Sequence, residues 1–570
     1  MSLLSLPHEL VERILLWLAT ESVQKCRLVN RELNTIIQSS TVLQYLQACA
    51  AAGIIDNPRS PLSYAERLEA LKKREDAWRT LTPVFETTIN VDHQASSVYD
   101  LTAGTYLLGD HNLRDLYYCR LPSSPQDNPR WIRIPCHGPE QNRSGIIIDM
   151  GMAVYEHDLI VNVICSEVGN QADIELYSLD LVLLKFSTGE YHPLARHPRI
   201  HVQRSPSTRP AIALEIVGDN LALVINSRHV CPDKLFIFDW KTGYKRLQHE
   251  AAENAYSGLF FVSPELLLVP NLILSHFEVW QIPPCHPNSK PPVQILSLQI
   301  PAVSRGYFLL TLSCRGEPSP FLHSIPYFPP RPFLPSPDNS IIIANLRLAS
   351  FPGLRGASYT LVIHRRALLD TIQRWTSPSL LEQQEDLPTW LMNEVTVHNT
   401  ANPDDGSVRL DAQSKLSSTS RYTFLQVPWA KWGPPISRWF QVNETQSQWI
   451  SQSSGQRCAF LDPNPLDRRK LMVSVMDFNN FRRNAKMMAR LRSGECDNNG
   501  SNGNKEKEEE EEEEFEILDH KGVFSEEVYM GLKCVIYRAP DEFDFDAIFM
   551  DEERLFGAKV STWKWHRKSF

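Results

Sequence analysis

From about Phe85 to the end of the chain, short apolar or alternating runs of five to eight residues recur, separated by Gly, Pro, Asn and Asp. SGIIIDMGMAVYEHDLIVNVICS (144–166), PAIALEIVGDNLALVINS (210–227), GLFFVSPELLLVPN (258–271) and KLMVSVMDFN (470–479) are examples. Runs of this length, closed by turn residues, are too short for helices and read as strands. Val217-Gly218-Asp219-Asn220-Leu221 has the two-residue polar turn of a hairpin. A chain of 570 residues has room for two to four domains at about 150 residues each. Most of its length therefore belongs to one mostly-β region.

A second regularity narrows the β architecture. Phe186-Ser187-Thr188-Gly189-Glu190-Tyr191 and Asp239-Trp240-Lys241-Thr242-Gly243-Tyr244 repeat a strand, a Thr-Gly turn and an aromatic strand at a spacing of 54 residues. That lies near the period of four-stranded propeller blades. The pair resembles degenerate WD-repeat blades, with the aspartate–tryptophan element displaced. The length after the helical N-terminus suits seven or eight blades. The expected fold is α+β multidomain: a short helical module, then a propeller-like domain of about seven blades. A β-sandwich is the rival. Val84–Val98 and the stretch 524–560 are expected to close the ring from the two chain ends.

The N-terminus has a different texture. In LPHELVERILLWL (6–18), Leu10, Ile14, Trp17 and Leu18 fall at i, i+4, i+7 and i+8, one apolar helical face. Pro7 suits a helix start, and Thr20, Glu21 and Ser22 offer caps for a second helix. Val23, Cys26, Val29, Leu33, Ile36 and Ile37 continue helical spacing. Three such helices cannot bury all their apolar surface alone, and an apolar patch left over marks a partner surface. Leu6-Pro7-x-Glu9-Leu10-x3-Ile14-Leu15-x2-Leu18, followed by Cys26-Arg27-Leu28-Val29-Asn30-Arg31-Glu32-Leu33, resembles the F-box over roughly residues 3–46. Ser22-Val23, Asn30 and Leu33 stand where that family has Asp-Leu, Cys and Trp. The resemblance implies docking to the Skp-type adaptor of a cullin-based (SCF) ubiquitin ligase. Carried over by position, it makes Leu6, Pro7, Leu10, Ile14, Leu15, Leu18, Val29 and Leu33 the adaptor-facing residues. The boundaries it suggests are an F-box at 1–48, a helical linker at 49–84 and the propeller-like domain at 85–570.

Within the linker, Ser63 and Glu66 form a capping box for a helix over 60–81. Similar helices follow the F-box in a group of fungal F-box proteins, which the stretch 524–560 also resembles. Residues 283–292 and 315–338 are Pro-dense, and are expected as loops on a blade rim because each Pro removes a ladder N–H. A helix is possible over TIQRWTSPSLLEQQ (371–384). The formal net charge of −9 also has one address: Glu495 to Glu516 holds eleven acids and two lysines. This insert, 493–516, lacks the apolar side chains to fold. The rest of the chain is formally neutral, which argues against a general nucleic-acid binder.

The N-terminal apolar stretch is interrupted by Glu9, Glu12 and Arg13, and no run of about 18 apolar residues occurs, so neither a secretory signal nor a membrane span is expected. Eleven scattered cysteines with no C-x-x-C pair fit reduced thiols in the cytoplasm or nucleus. No P-loop, G-x-S-x-G, G-x-G-x-x-G or H-E-x-x-H is present. His192, His197 and His201 are spaced by five and four, but Pro193, Pro198 and Pro210 break any helix that could present an i, i+4 pair to a metal, so they read as loop histidines. The basic clusters at 468–492 and near the C-terminus fit nucleic acid, nuclear import or neutralisation of the nearby acidic tract. The expectation is a substrate receptor with no catalytic residue, cofactor or metal, which pairs with the adaptor, a cullin and a protein target. A non-degradative scaffold and a propeller enzyme with converging carboxylates or histidines are the alternatives.

Overall fold

The computed structural model describes residues 6–569 except 103, 141–142, 169–176, 206–209, 227–230, 287–288, 324, 328–330, 351–355, 378–391, 399–418, 443–451, 464–470, 480–514, 544 and 560–563. Four helices open it: α1 (His8–Leu15), α2 (Thr20–Val29), α3 (Arg31–Ser39) and α4 (Thr41–Ala52). Asn30, which departs from the F-box pattern, caps α3 by accepting the Leu33 N–H at 2.8 Å. Ser40 caps α4 and donates to the Glu12 carboxylate at 2.8 Å, tying α4 back to α1. Thr20, Glu21 and Ser22 do not cap α2: its N-cap is Ala19, which makes no side-chain bond. The helical unit also runs past residue 48, because α4 continues to Ala52 before Gly53 ends it in the left-handed region at φ +64°.

A three-residue strand, β1 (Ile54–Asp56), leads to α5 (Tyr64–Thr80). The Ser63–Glu66 capping box forms as the sequence predicts. The rest of α5 departs from an ordinary amphipathic connector. Arg67, Arg74 and Glu75 are buried along with Leu68, Leu71 and Trp78.

The mostly-β region holds seven sheets of four or more strands among the described residues, each built on four antiparallel strands; the fourth in chain order also gains Thr419–Val427, parallel to Val293–Gln299, and Met392–His398 beyond it. The first holds Ala95–Thr102, Thr105–Asp110, Asp115–Arg120 and Trp131–Pro135. The second spans 146–205, the third 211–251 and the fourth 260–299. The fifth runs from Tyr307 to Val442, the sixth from Ser453 to Phe543, and the seventh from Ala547 to Ser569 with Phe85–Asn90 as its outer strand.

The cores establish how these sheets are arranged. Leu107 and Leu116 of the first sheet pack on Ile160 and Val182 of the second. Val161 and Leu181 of the second meet Leu223 and Phe236 of the third. Val224 and Ile237 of the third meet Val269 and Trp280 of the fourth. The same pattern joins fourth to fifth, fifth to sixth and sixth to seventh. Ile89 and Phe549 of the seventh then pack on Leu108 and Cys119 of the first. Every sheet thus buries both faces against its neighbours, and the ring of contacts closes. That is a propeller, in which radial repetition hides sheet faces without a single central core.

The repeat seen in the sequence occupies equivalent places. Gly189 and Gly243 sit at φ +72° and +75° in the turns between third and fourth strands of the second and third sheets. Each donates its N–H at 2.8 Å to the carbonyl four residues back, that of Lys185 or Asp239. Only Gly adopts this positive φ without strain. Ring closure does come from both chain ends. However, the C-terminal strand that pairs with Phe85–Asn90 is Lys564–Ser569, which the sequence presents as a basic cluster beyond 560.

Three loop expectations need revision. The Pro-dense segment after Arg315 is not a rim loop, because it contains the strand Phe333–Pro335, which pairs with β1. The helix expected at 371–384 instead spans Arg365–Trp375, and residues 378–384 lie outside the described residues. Most of the insert 493–516 lies outside them as well. Its last residue, Glu516, belongs to a two-residue strand and pairs with Arg438 (2.7 Å) and Lys533 (3.0 Å).

Candidate functional site

In the N-terminal module, α1, α3, part of α2 and the start of α4 share a small core of Val11, Leu15, Val23, Leu33, Ile36, Ile37 and Leu43. This core decides which of the candidate residues remain on the surface. Leu15 is 1 % exposed and Leu33 is 6 % exposed, so both hold the module together and are not on its outer face. The helix spacing admits this because a 3.6-residue period places Val11 and Leu15 about 100° around the helix from Leu10 and Ile14, and Leu18 lies beyond the helix end. Leu6 is half-buried against the core, and Pro7 is exposed. Leu10, Ile14 and Leu18 are each exposed by 40 % or more, and Val29 by 70 %.

Two residues outside the candidate set join them. Trp17 is 90 % exposed and Leu28 is 69 % exposed. Trp17 was already legible as part of the apolar face of α1, whereas Leu28 carries no periodic signal. With the less exposed Leu16, Leu10, Ile14, Trp17, Leu18, Leu28 and Val29 are the large apolar side chains that the described residues of this small unit leave in water. Singly exposed apolar residues are common, but several from one helical pair are not.

The linker fixes that module to the propeller. Trp78 and Leu81 sit in one core with Val473, Val475 and Ile548 of the sixth and seventh sheets. Below them lies a buried charge network. Arg457 of the sixth sheet reaches Glu75 at 2.6 Å and Asp477 at 3.1 Å, and Arg74 reaches the other Glu75 oxygen at 2.9 Å. Burial by itself would lower the Arg457 pKa, but Glu75 and Asp477 more than reverse this and hold the guanidinium charged. Nearer the N-terminus, Asp56 takes Arg67 at 2.8 Å and the Tyr45 hydroxyl at 2.8 Å.

The propeller's channel is the second candidate site. Asp100, Asp149, Glu215 and Arg315 lie on the first strands of the first, second, third and fifth sheets, Glu317 follows the last of these, and the five line a cavity of about 160 Å³, room for several waters. Burial raises all four carboxyls, Asp149 and Glu215 to about 7 and Glu317 to about 8, and Arg315 opposes the rise in each. Among the described residues, no three His, Cys, Asp or Glu side chains come together as a metal ion would need. His192 is instead buried against Trp240, and its Nε2 lies 2.9 Å from the His157 carbonyl. No helix among the described residues is long and apolar enough to cross a membrane.

Residues 3–45 match the F-box domain family, which is the segment that presents the apolar face. No curated protein matches the sequence. Solved structures are similar to parts of the chain at low identity, among them the following three. Hsv2p of Kluyveromyces lactis is 11 % identical, with 36 % of this chain and 62 % of that one covered and a TM-score of 0.24. The C-terminal WD40 domain of Sif2 is also 11 % identical over 51 % of this chain and 85 % of that one, with a TM-score of 0.24. The Dos1 propeller is 10 % identical over 46 % of this chain and 55 % of that one, again with a TM-score of 0.24. The match spans about three fifths of the Hsv2p chain. The chain joins a segment that matches the F-box domain, residues 3–45, to the β-propeller formed by its own ring of sheets.

Proposed function

We propose that the chain is a substrate-recognition subunit of an SCF-type cullin ubiquitin ligase. Its F-box docks the Skp-type adaptor, and its propeller binds a protein target in the cytoplasm or nucleus. The observation that carries this reading is the apolar face of Leu10, Ile14, Trp17, Leu18, Leu28 and Val29, left in water within the segment that matches the F-box. Leu6 and Pro7 flank it, while Leu15 and Leu33 support it from inside. The mechanism is positional. A target held on the propeller has its lysines at raised effective concentration near the ubiquitin-charged partner. The packed linker supports this, since a flexible connection would spread the target over a larger volume.

On this reading the chain does no chemistry of its own and takes no cofactor. The channel carboxyls bear on the enzyme alternative, because acid–base catalysis by two carboxyls works when their environments push the pKa values apart. Here all four move the same way. The scaffold alternative shares the same docking face and differs only in output.

The test is capture by purified Skp-type adaptor. The parent chain should be retained, and Leu10→Asp with Ile14→Asp should lose at least about 100-fold in affinity, roughly 2.7 kcal/mol. Retention of the double variant at the parent level overturns the reading. Adaptor binding with no cullin-dependent change in the abundance of any bound partner favours the scaffold.

A further inference from the structure

The segment between the first two strands of the fifth sheet, residues 316–340, crosses from its own sheet to four other parts of the molecule. Its start is held by Arg365, a buried guanidinium that donates to the Pro318 carbonyl at 2.7 Å and the Gly316 carbonyl at 3.3 Å. Its far turn lies on the second and third sheets. There the buried Glu156 carboxylate accepts the N–H groups of Leu322 (3.0 Å) and His323 (2.6 Å) on one oxygen and that of Gly218 (3.0 Å) on the other. Beside it, Asp219 takes His323 Nε2 at 3.0 Å and Lys241 at 2.5 Å. Gly218 and Asp219 are the hairpin turn legible in the sequence. A Cβ at Gly218 would come within 2.7 Å of Leu322, so the turn and the crossing segment are fitted closely.

The return limb is sewn to the F-box side. Phe333–Pro335 pairs with Ile54–Asp56. Asn57 N donates to the Pro332 carbonyl and Ser336 N to the Gly53 carbonyl, each at 2.9 Å. Arg331 binds Glu552 and Glu553 of the seventh sheet. Between the two limbs, Pro318, Phe321, Ile325 and Leu334 close one end of the channel cavity, together with Ile55 of β1.

We propose that this segment is a strap that latches at Glu156 and Asp219, and that releasing the latch both opens the channel floor and loosens the seam to β1. The latch and the seam belong to one short stretch of chain, and between them it is held by the Tyr327 N–H, which donates to the Tyr155 carbonyl at 3.2 Å, and by Arg59, which donates to the Pro326 carbonyl at 2.9 Å. The two ends are not equally secure. The latch is made of polar contacts with His323 43 % exposed, whereas the seam has a strand pair with Leu334 and Phe333 buried. Opening therefore starts at the latch and spreads to the seam, as local unfolding does from the region with fewer buried apolar contacts. The proposal concerns contacts within the chain and stands whether or not an adaptor binds.

Amide hydrogen exchange on the full chain tests it. In Glu156→Gln with Asp219→Asn, the Leu322 and His323 amides should exchange at least about tenfold faster. The Asn57 and Ser336 amides should follow by about threefold or more, with Leu268 and Val279 of the fourth sheet unchanged. Faster exchange at Leu322 and His323 with parent protection at Asn57 and Ser336 overturns the coupling. Parent protection at all four overturns the latch. If the fourth sheet also loses protection, the double variant is globally destabilised and His323→Ala decides. It removes only a part-exposed ring, and it should show the same order of effects at smaller size. No change in Asn57 and Ser336 when Leu322 exchanges faster overturns the proposal there too.

Discussion

Helices α1 and α5 treat their side chains in opposite ways. Of the two, α1 turns Leu10 and Ile14 to solvent, while α5 turns Arg67, Arg74 and Glu75 inward. Each arrangement is costly in isolation. Exposed apolar surface forgoes about 25 cal/mol per Å² of burial, and buried ions lose hydration worth several kcal/mol each. The difference teaches what each helix is for. The exposed face of α1 is complete only with a partner, whereas the charges of α5 are already satisfied within the chain by Arg457, Asp477 and Asp56. One helix presents a surface, and the other fixes where that surface stands relative to the propeller.

The largest effect that would break this contrast is in α5. Glu75→Ala leaves Arg457 and Arg74 buried beside each other, with Asp477 on Arg457 and the weaker pull of Glu553 on Arg74 to balance them. Removing one partner of such a pair costs about 3 kcal/mol or more. Chemical denaturation should show that loss, and a change within about 0.5 kcal/mol would mean the network is solvated and does not fix the linker. The companion substitutions in α1, Leu10→Asp and Ile14→Asp, should leave the denaturation midpoint near the parent's while abolishing capture by the adaptor. If they destabilise the chain as much as Glu75→Ala does, the face belongs to the protein's own packing.

How much of this was legible in the sequence follows the range of the interactions. The capping box at Ser63 and Glu66 closes within four residues, and the Thr-Gly turns at Gly189 and Gly243 close within five, so residue type alone foretells them. The division of α1 into two stripes was less accessible. Leu10, Leu15 and Leu18 are the same residue, and only the position of α3 determines that Leu15 meets Leu33 and Ile37. The strap lay furthest from view. Its pairing of Ile54–Asp56 with Phe333–Pro335 joins segments almost half the chain apart, and a Pro-dense stretch gives no strand signal. The closing strand Lys564–Ser569 was hidden for a different reason, since its charges mask the period-2 pattern.

A third treatment of charge sharpens the comparison. The channel carboxyls are withdrawn from bulk water like Glu75, but the charge of Arg315, joined at Glu215 and Glu317 by that of Arg365, does not offset their burial, and their pKa values rise. Their folded pKa values, about 7 for Asp149 and Glu215 and about 8 for Glu317, exceed the unfolded values near 4. A carboxyl raised in this way contributes stability that is fully present below about pH 4 and is lost as pH rises through its folded pKa. Stability should therefore decline from about pH 5 to pH 8.5, and Glu317→Gln should flatten the upper part of that slope. Glu75→Gln should not flatten it, since Glu75 is ion-paired. Denaturation midpoints at pH 5, 6.5 and 8.5 distinguish the two. A stability curve that is level over this range, or equally steep in Glu317→Gln, would mean that the cavity hydrates its carboxyls.

The smallest effect concerns the acidic tract, which holds the whole formal net charge. The docking face is apolar, the linker is internally paired and the remaining chain is neutral, so no step argued above depends on the field of that tract. Removal of residues 495–514 should leave adaptor capture within about twofold of the parent. The cut must stop short of Phe515 and Glu516, because Glu516 pairs with Arg438 and Lys533 and a cut through it would disturb the folded sheets. At low salt a charged tract acts over about 30 Å and at physiological salt over about 8 Å. Measuring capture at both therefore separates a field from a contact. A loss that disappears at physiological salt means the tract only steers the approach. A loss that persists there places the tract in the interface and overturns the view that α1 and α2 alone make the docking surface.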